Sequence, residues 1–118
     1  MDLKSFTYPK KNKLKSRKLI KKVFEEGITI KSYPVLIRYI EIDDENNKVG
    51  VSVSKRNFKK AVDRIRIKRQ LREAYRLNKG ELINSGSKFA VMILFIGKKE
   101  ISTEKLLDTI KKLLKEIK

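Results

Sequence analysis

Val49-Gly50-Val51-Ser52-Val53-Ser54 alternates branched apolar residues with nearly bare ones. A few residues later the chain reads Ala61-Val62-Asp63-Arg64-Ile65-Arg66-Ile67-Lys68-Arg69-Gln70-Leu71-Arg72-Glu73. The first pattern has period two, so its valines share the core face of a strand, and Gly50, Ser52 and Ser54 share the other. The second lies in a stretch from Asn57 to Lys79 without Gly or Pro, where Ile67, Leu71, Ala74 and Asn78 fall on one side of a helical wheel. The expectation is a strand, a link of about one to three residues, and a helix of roughly 20 residues that Gly80 stops.

Downstream, Phe89-Ala90-Val91-Met92-Ile93-Leu94-Phe95-Ile96 is a nearly continuous apolar run between Gly86 and Gly97. It is too short for a typical helix and suits a strand buried on both faces, hence a central one. If it runs parallel to the valine strand, the two strands and the basic helix make a β-α-β unit, whose handedness the pattern does not fix. Leu106, Leu107, Ile110, Leu113, Leu114 and Ile117 then form the core stripe of a last helix capped by Ser102 or Thr103. Upstream, Leu19, Ile20, Val23 and Phe24 mark a short amphipathic helix between Ser16 as N-cap and Gly27 as its C-terminal stop. Ser32-Tyr33-Pro34 breaks the pattern, Val35-Leu36-Ile37-Arg38-Tyr39-Ile40 reads as strand, Asp43–Asn47 as a turn, and Lys48 starts the return strand. The fold class is α+β, a single-domain sandwich over residues 1–118 with no linker or repeat.

The chain has 118 residues, 40% hydrophobic and 38% charged, with 31 Lys+Arg against 14 Asp+Glu and a formal charge of +17. It contains no Cys and no His, which removes thiolate and imidazole catalysis and zinc–thiolate sites. No apolar run approaches the roughly 18 residues of a membrane span and no signal peptide is visible, so a cytoplasmic location without a membrane partner is expected. The charge is clustered: residues 1–26 carry a net +6 and residues 55–79 a net +9, while residues 27–54 come to −1. Solubilising charge would be spread with both signs mixed; two cationic segments are what a polyanion such as nucleic acid requires.

Within the second segment Arg64, Lys68, Arg72 and Arg76 form an i, i+4 ridge, with Arg69 beside it. Arginine suits phosphate because its planar fork donates two parallel hydrogen bonds. Only Asp63 and Glu73 are acidic between Lys55 and Lys79, so like charges repel along the helix unless an RNA or DNA backbone neutralises them. The acidic turn Asp43, Asp44 and Glu45 reads as solvated rather than metal-binding.

The strand Val51–Lys55 followed by Ala61–Glu73 resembles the bacterial ribonuclease P protein subunit family, whose mark is Arg-Asn-Arg-x-Lys-Arg-x-x-Arg. Arg64, Arg66, Lys68, Arg69 and Arg72 match it, and Ile65 departs from it where the family typically has Asn, a side chain that can orient its neighbours by hydrogen bonding. The Lys22–Gly27 pattern Lys-Val-Phe-x-x-Gly, the basic N-terminus and the closing helix agree as well. The resemblance implies a ribosomal-protein-domain-like α/β sandwich with a mixed sheet and a left-handed β-α-β crossover. It implies the protein subunit of an endoribonuclease that removes the 5′ leader of precursor tRNA. The partners would be the catalytic RNA and precursor tRNA, with no obligate protein partner. Catalysis would be by the RNA, with Mg²⁺ held mainly by that RNA and none by the protein alone, so no catalytic or metal residues are expected here.

By the same resemblance Lys55, Arg56, Lys60, Arg64, Arg66, Lys68, Arg69, Arg72 and Arg76 contact the catalytic RNA. Lys13, Arg17, Ile20, Phe24, Tyr39 and Ser52 line a cleft for the leader between the first helix and the exposed sheet face. Phe24 and Tyr39 would stack bases, while Ser52 and Gly50 leave room for a strand to approach. Ile20 stands where an aromatic is common in the family. The rival reading from charge and size is a ribosomal protein or general RNA chaperone with no role in tRNA cleavage. A DNA-binding helix should carry more groove-reading Asn or Gln than Gln70 alone.

Overall fold

The computed structural model describes residues 13–83 and 86–117; the first twelve residues of the basic N-terminal segment lie outside the described residues. In chain order the elements are α1 (Arg17–Glu26), β1 (Ile28–Ser32), β2 (Val35–Ile42), β3 (Lys48–Val53), α2 (Ala61–Ile83), β4 (Lys88–Phe95) and α3 (Thr103–Glu116). The four strands form one mixed sheet in the order β1-β2-β4-β3, with β4 antiparallel to β2 and parallel to β3. β3, α2 and β4 therefore make a parallel β-α-β unit, which meets the condition that the sequence pattern left open. β4 is central because both of its faces are apolar, and it separates β2 from the return strand β3, although only a short turn joins those two in sequence.

Alternation along the strands makes two cores. On one face Val35, Ile37 and Tyr39 of β2, Val49 and Val53 of β3, and Phe89, Val91, Ile93 and Phe95 of β4 pack under α2 and α3. Tyr39 meets Phe89 edge-on at 5.7 Å between ring centroids, and Phe58 packs on Phe95 at 5.8 Å. The helices contribute Ile67, Leu71, Ala74, Tyr75 and Leu82 from α2, and Leu106, Ile110, Leu113 and Leu114 from α3. On the other face Ala90 and Met92 pack with Val23 of α1 and with Leu14, a smaller cluster edged by Leu19, Ile20, Ile40 and Leu94.

Two boundaries differ from the sequence expectation, both in α2. α2 begins at Ala61 rather than near Asn57, because residues 54–60 form a folded loop. Phe58 is buried, its N–H donates to the Ser54 carbonyl, and Asn57 Nδ2 donates to the carbonyls of Ile96 and Gly97 at the end of β4. The helix runs on through Gly80, where a side chain would meet open space, and Leu82 beyond it is fully buried, so packing outweighs the cost of a helical glycine. Gly27 ends α1 where the sequence places its stop, in an extended conformation (φ −69°). It is needed for close approach, since a Cβ there would fall 2.1 Å from the Val23 carbonyl oxygen. Ser16 and Ser102 cap α1 and α3 by accepting from the N–H groups of Leu19 and Lys105. β1, which has no separate sequence signature, pairs antiparallel with β2 at the sheet edge.

Candidate nucleic-acid interface

α1 packs on β2 and β4, and Lys13-Leu14 runs alongside β3, the Leu14 N–H donating to the Val49 carbonyl at 3.0 Å. Between them lies a groove walled by Lys13, Lys15 and Ile20 on one side and Arg72 on the other, floored by Gly50 and Met92. Phe24, one helical turn beyond Ile20 on the same edge of α1, is 40% exposed. Ser52 lies two residues beyond Gly50 and so on the same sheet face, opposite Leu94 in the register. The groove thus combines cations at its rim with apolar and small side chains inside, an arrangement suited to a single nucleic-acid strand with its phosphates outward.

Two cleft expectations need correction. Tyr39 is 5% exposed and faces the core under α2 and α3, because its even spacing from Val35 and Ile37 puts it on the opposite side of the sheet from Gly50 and Ser52. It cannot stack a base in the groove. The space above Gly50 is also not free: a Cβ there would lie 2.6 Å from Met92 Sδ, so the missing side chain accommodates packing inside the protein. Arg17 is exposed on the first turn of α1 and Lys13 is half-buried in the groove wall.

The cations of α2 and its preceding loop divide by what already holds them. Arg64 donates from Nη1 to the carbonyls of Phe58 and Lys59, both at 2.8 Å, and so pins the loop rather than facing outward. Arg66 donates through Nε and Nη2 to the Glu100 carboxylate at 2.9 and 2.6 Å, and through Nη2 to Asp63 at 2.8 Å. These contacts raise the Arg66 pKa above its ordinary value and hold that of Glu100 below its own. Arg76 is paired with Glu73, whose carboxyl is lowered for the same reason. Among the described residues no ion pair is made by Lys55, Arg56, Lys60, Lys68, Arg69 or Arg72, which are left to meet an external anion.

Three contributors escaped the sequence reading. Lys15 joins the groove wall. Glu100 engages Arg66 across 34 positions, a pairing no local pattern signals. Arg38 fastens the end of α1 to the sheet by donating to the Phe24 carbonyl at 2.6 Å and to Thr29 Oγ1 at 2.7 Å. Its signal was there: one cation inside the apolar run Val35–Ile40. No group of three or more Asp and Glu that could hold a metal ion occurs among the described residues, and Asp44 turns its Oδ1 onto the N–H groups of Glu45 and Asn46. No described helix is long and apolar enough to cross a membrane.

Comparison with known proteins agrees with this geometry. The family model described as Ribonuclease P matches residues 8–118. The chain is similar to the ribonuclease P protein component of Dictyoglomus thermophilum, 39% identical over 63% of this chain and 61% of that one. It is also similar to that of Porphyromonas gingivalis, at 40% identity over 64% and 57%, so these matches span about three fifths of each relative. The Clostridioides difficile protein component is 32% identical over 86% of this chain and 88% of its own length. In fold the chain resembles the ribonuclease P proteins of Thermotoga maritima (TM-score 0.78, 22% identity, 90% of this chain and 97% of that one) and Staphylococcus aureus (0.75, 19%, 89% and 94%). With the family model covering almost the whole chain and the basic helix and groove in place, the chain belongs to the ribonuclease P protein family.

Proposed function

We propose that this chain is the protein component of ribonuclease P: it binds the catalytic RNA and the 5′ leader of precursor tRNA and assists Mg²⁺-dependent removal of that leader. The observation that carries the reading is the shared position of Arg72, which belongs to the cationic face of α2 and also walls the groove between α1 and β3. One rigid body can thereby present α2 and the loop at Lys55–Lys60 to a large structured RNA while a single strand enters the groove beside it. Lys13, Lys15 and Arg72 attract the strand's phosphates, and Ile20 and Phe24 offer sequence-tolerant apolar contact to its bases. Magnesium ions held mainly by the RNA supply water activation and charge stabilisation when bound. What the protein's residues do is bind and orient, which raises the local concentration of the correctly placed leader. Such an assembly works in the cytoplasm, needs no membrane and requires no further protein.

The test is cleavage of a precursor tRNA by a bacterial ribonuclease P RNA at low Mg²⁺, with and without the protein, and with the protein alone. Stimulation by the mixture, no cleavage by protein alone and weaker stimulation by Arg72→Ala are expected. Salt-sensitive RNA binding without stimulation would instead assign the chain to the ribosomal or RNA-chaperone class.

A further inference from the structure

On its outward side α2 carries exposed apolar residues beside the cations, Leu77 in the second half of the helix and Val62 and Ile65 together near its start. Val62 and Ile65 are 69% and 55% exposed, and with Arg66 and Arg69 they line one shallow depression of about 290 Å³. Positions 62, 65, 66 and 69 are mutual neighbours on a helix, on the side turned away from Ile67 and Leu71. Branched apolar side chains are poor choices for a solvated helical position, where they gain no packing and restrict their own rotamers. Ile65 also replaces the Asn that its family typically carries. The surroundings are not those of a protein-docking patch: the depression is bounded by two guanidinium groups in a segment of net charge +9. Arg66 is held in place by Asp63 and Glu100, which makes one wall rigid, while Arg69 makes no ion pair among the described residues.

We propose that this depression seats the face of one unpaired nucleobase of the RNA that binds α2, an inference that rests on the RNA-binding reading above. A nucleotide brings a flat apolar face and a phosphate together, matching Val62 and Ile65 beside Arg69, which makes no ion pair among the described residues; an apolar peptide would leave the Arg69 guanidinium facing nothing it can bind. The planar Arg66 guanidinium is suited to lie against the edge or face of the base. The contact removes apolar surface from water without neutralising a phosphate, so its contribution to affinity does not depend on salt, whereas that of Arg69 does.

The experiment is equilibrium binding of the full chain to a bacterial ribonuclease P RNA transcript at about 50 and 200 mM salt, with melting followed by circular dichroism. The double variant Val62→Ser/Ile65→Ser should lose about tenfold in affinity at both salt concentrations with an unchanged log–log slope and an unchanged melt. Ile65→Leu should retain binding. Arg69→Gln should flatten the slope by about one. Wild-type affinity in the double variant, or a loss that vanishes at high salt, would overturn the proposal. Self-association of the wild type that the double variant abolishes would also overturn it, by assigning the patch to a second copy of the chain. Failure of the wild type to bind the transcript at all would sink the RNA-binding reading itself.

Discussion

Neighbouring residues of β4 meet different surroundings. Phe89, Val91, Ile93 and Phe95 are sealed beneath two long helices, whereas Ala90, Met92 and Leu94 meet only the ten-residue α1 and the short Lys13-Leu14 segment. The first face closes on itself, with Ile67, Leu71, Ile93, Ile110 and Leu113 all at 0% exposure. The second is left partly open along β3, and the opening is where the cations of the N-terminal segment and of α2 converge. One face thus holds the fold together, while the other is less completely packed and leaves the groove proposed above as the channel for the leader.

The contrast is sharpest between adjacent residues. Ile93→Ala should cost about 2–5 kcal/mol in urea denaturation, while Leu94→Ala, half-buried on the open face, should cost roughly 1–2; equal losses would mean the two faces are equally closed. Tyr75, buried in the α2 core, tests the closed face by pH. Burial pushes its phenol up to about 12 from an ordinary 10. The stability this contributes is complete below pH 10 and is lost as pH rises through about 12, up to about 2–3 kcal/mol. Tyr75→Phe should flatten that alkaline limb. On the open face, Phe24→Ala should reduce the holoenzyme's preference for precursor over mature tRNA several-fold and leave stability within about 1 kcal/mol. Tyr39→Phe should leave the preference untouched, and a loss there would return Tyr39 to the groove.

The smallest effect concerns the clasp that Arg66 makes with Glu100. Because pairing holds the Glu100 carboxyl below its ordinary 4.5, the stability it contributes is present above that pH and is lost as pH falls through the lower folded-state value. Glu100→Gln should remove that part of the acid limb and leave the Glu73–Arg76 part in place. An unchanged acid limb would mean that Glu100 is not engaged in solution.

Much of this was legible in the sequence, because period-two and period-3.6 patterns report burial directly. The valines of β3, the doubly apolar β4 and the leucine stripe of α3 lie where their spacing demands. Alternation also says which residues share a face, but not which face stays open, and so it does not by itself separate Tyr39 from Ser52 as a groove residue. Its partition with Val35 and Ile37 becomes decisive only once α2 and α3 are known to cover that side. α2 starts later than its pattern suggests because helix propensity in Asn57–Lys60 is overridden by tertiary ties, Phe58 to Phe95 and Asn57 to Ile96 and Gly97. The roles of Arg64 and Arg66 were hidden for a related reason. A cation's sequence position does not reveal whether a carbonyl or carboxylate from another segment already occupies it, as Phe58, Lys59 and Glu100 do.

Since the chain has no cysteine, a single thiol can be placed wherever it is wanted. The most direct test of the open-face account is a photo-crosslinker on Ser52→Cys, in the assembly of full protein, ribonuclease P RNA and precursor tRNA, compared with one on Lys115→Cys at the exposed side of α3. The account predicts crosslinks from position 52 to the 5′ leader and none to it from position 115. Leader crosslinks that are equal from both positions, or confined to position 115, would contradict it.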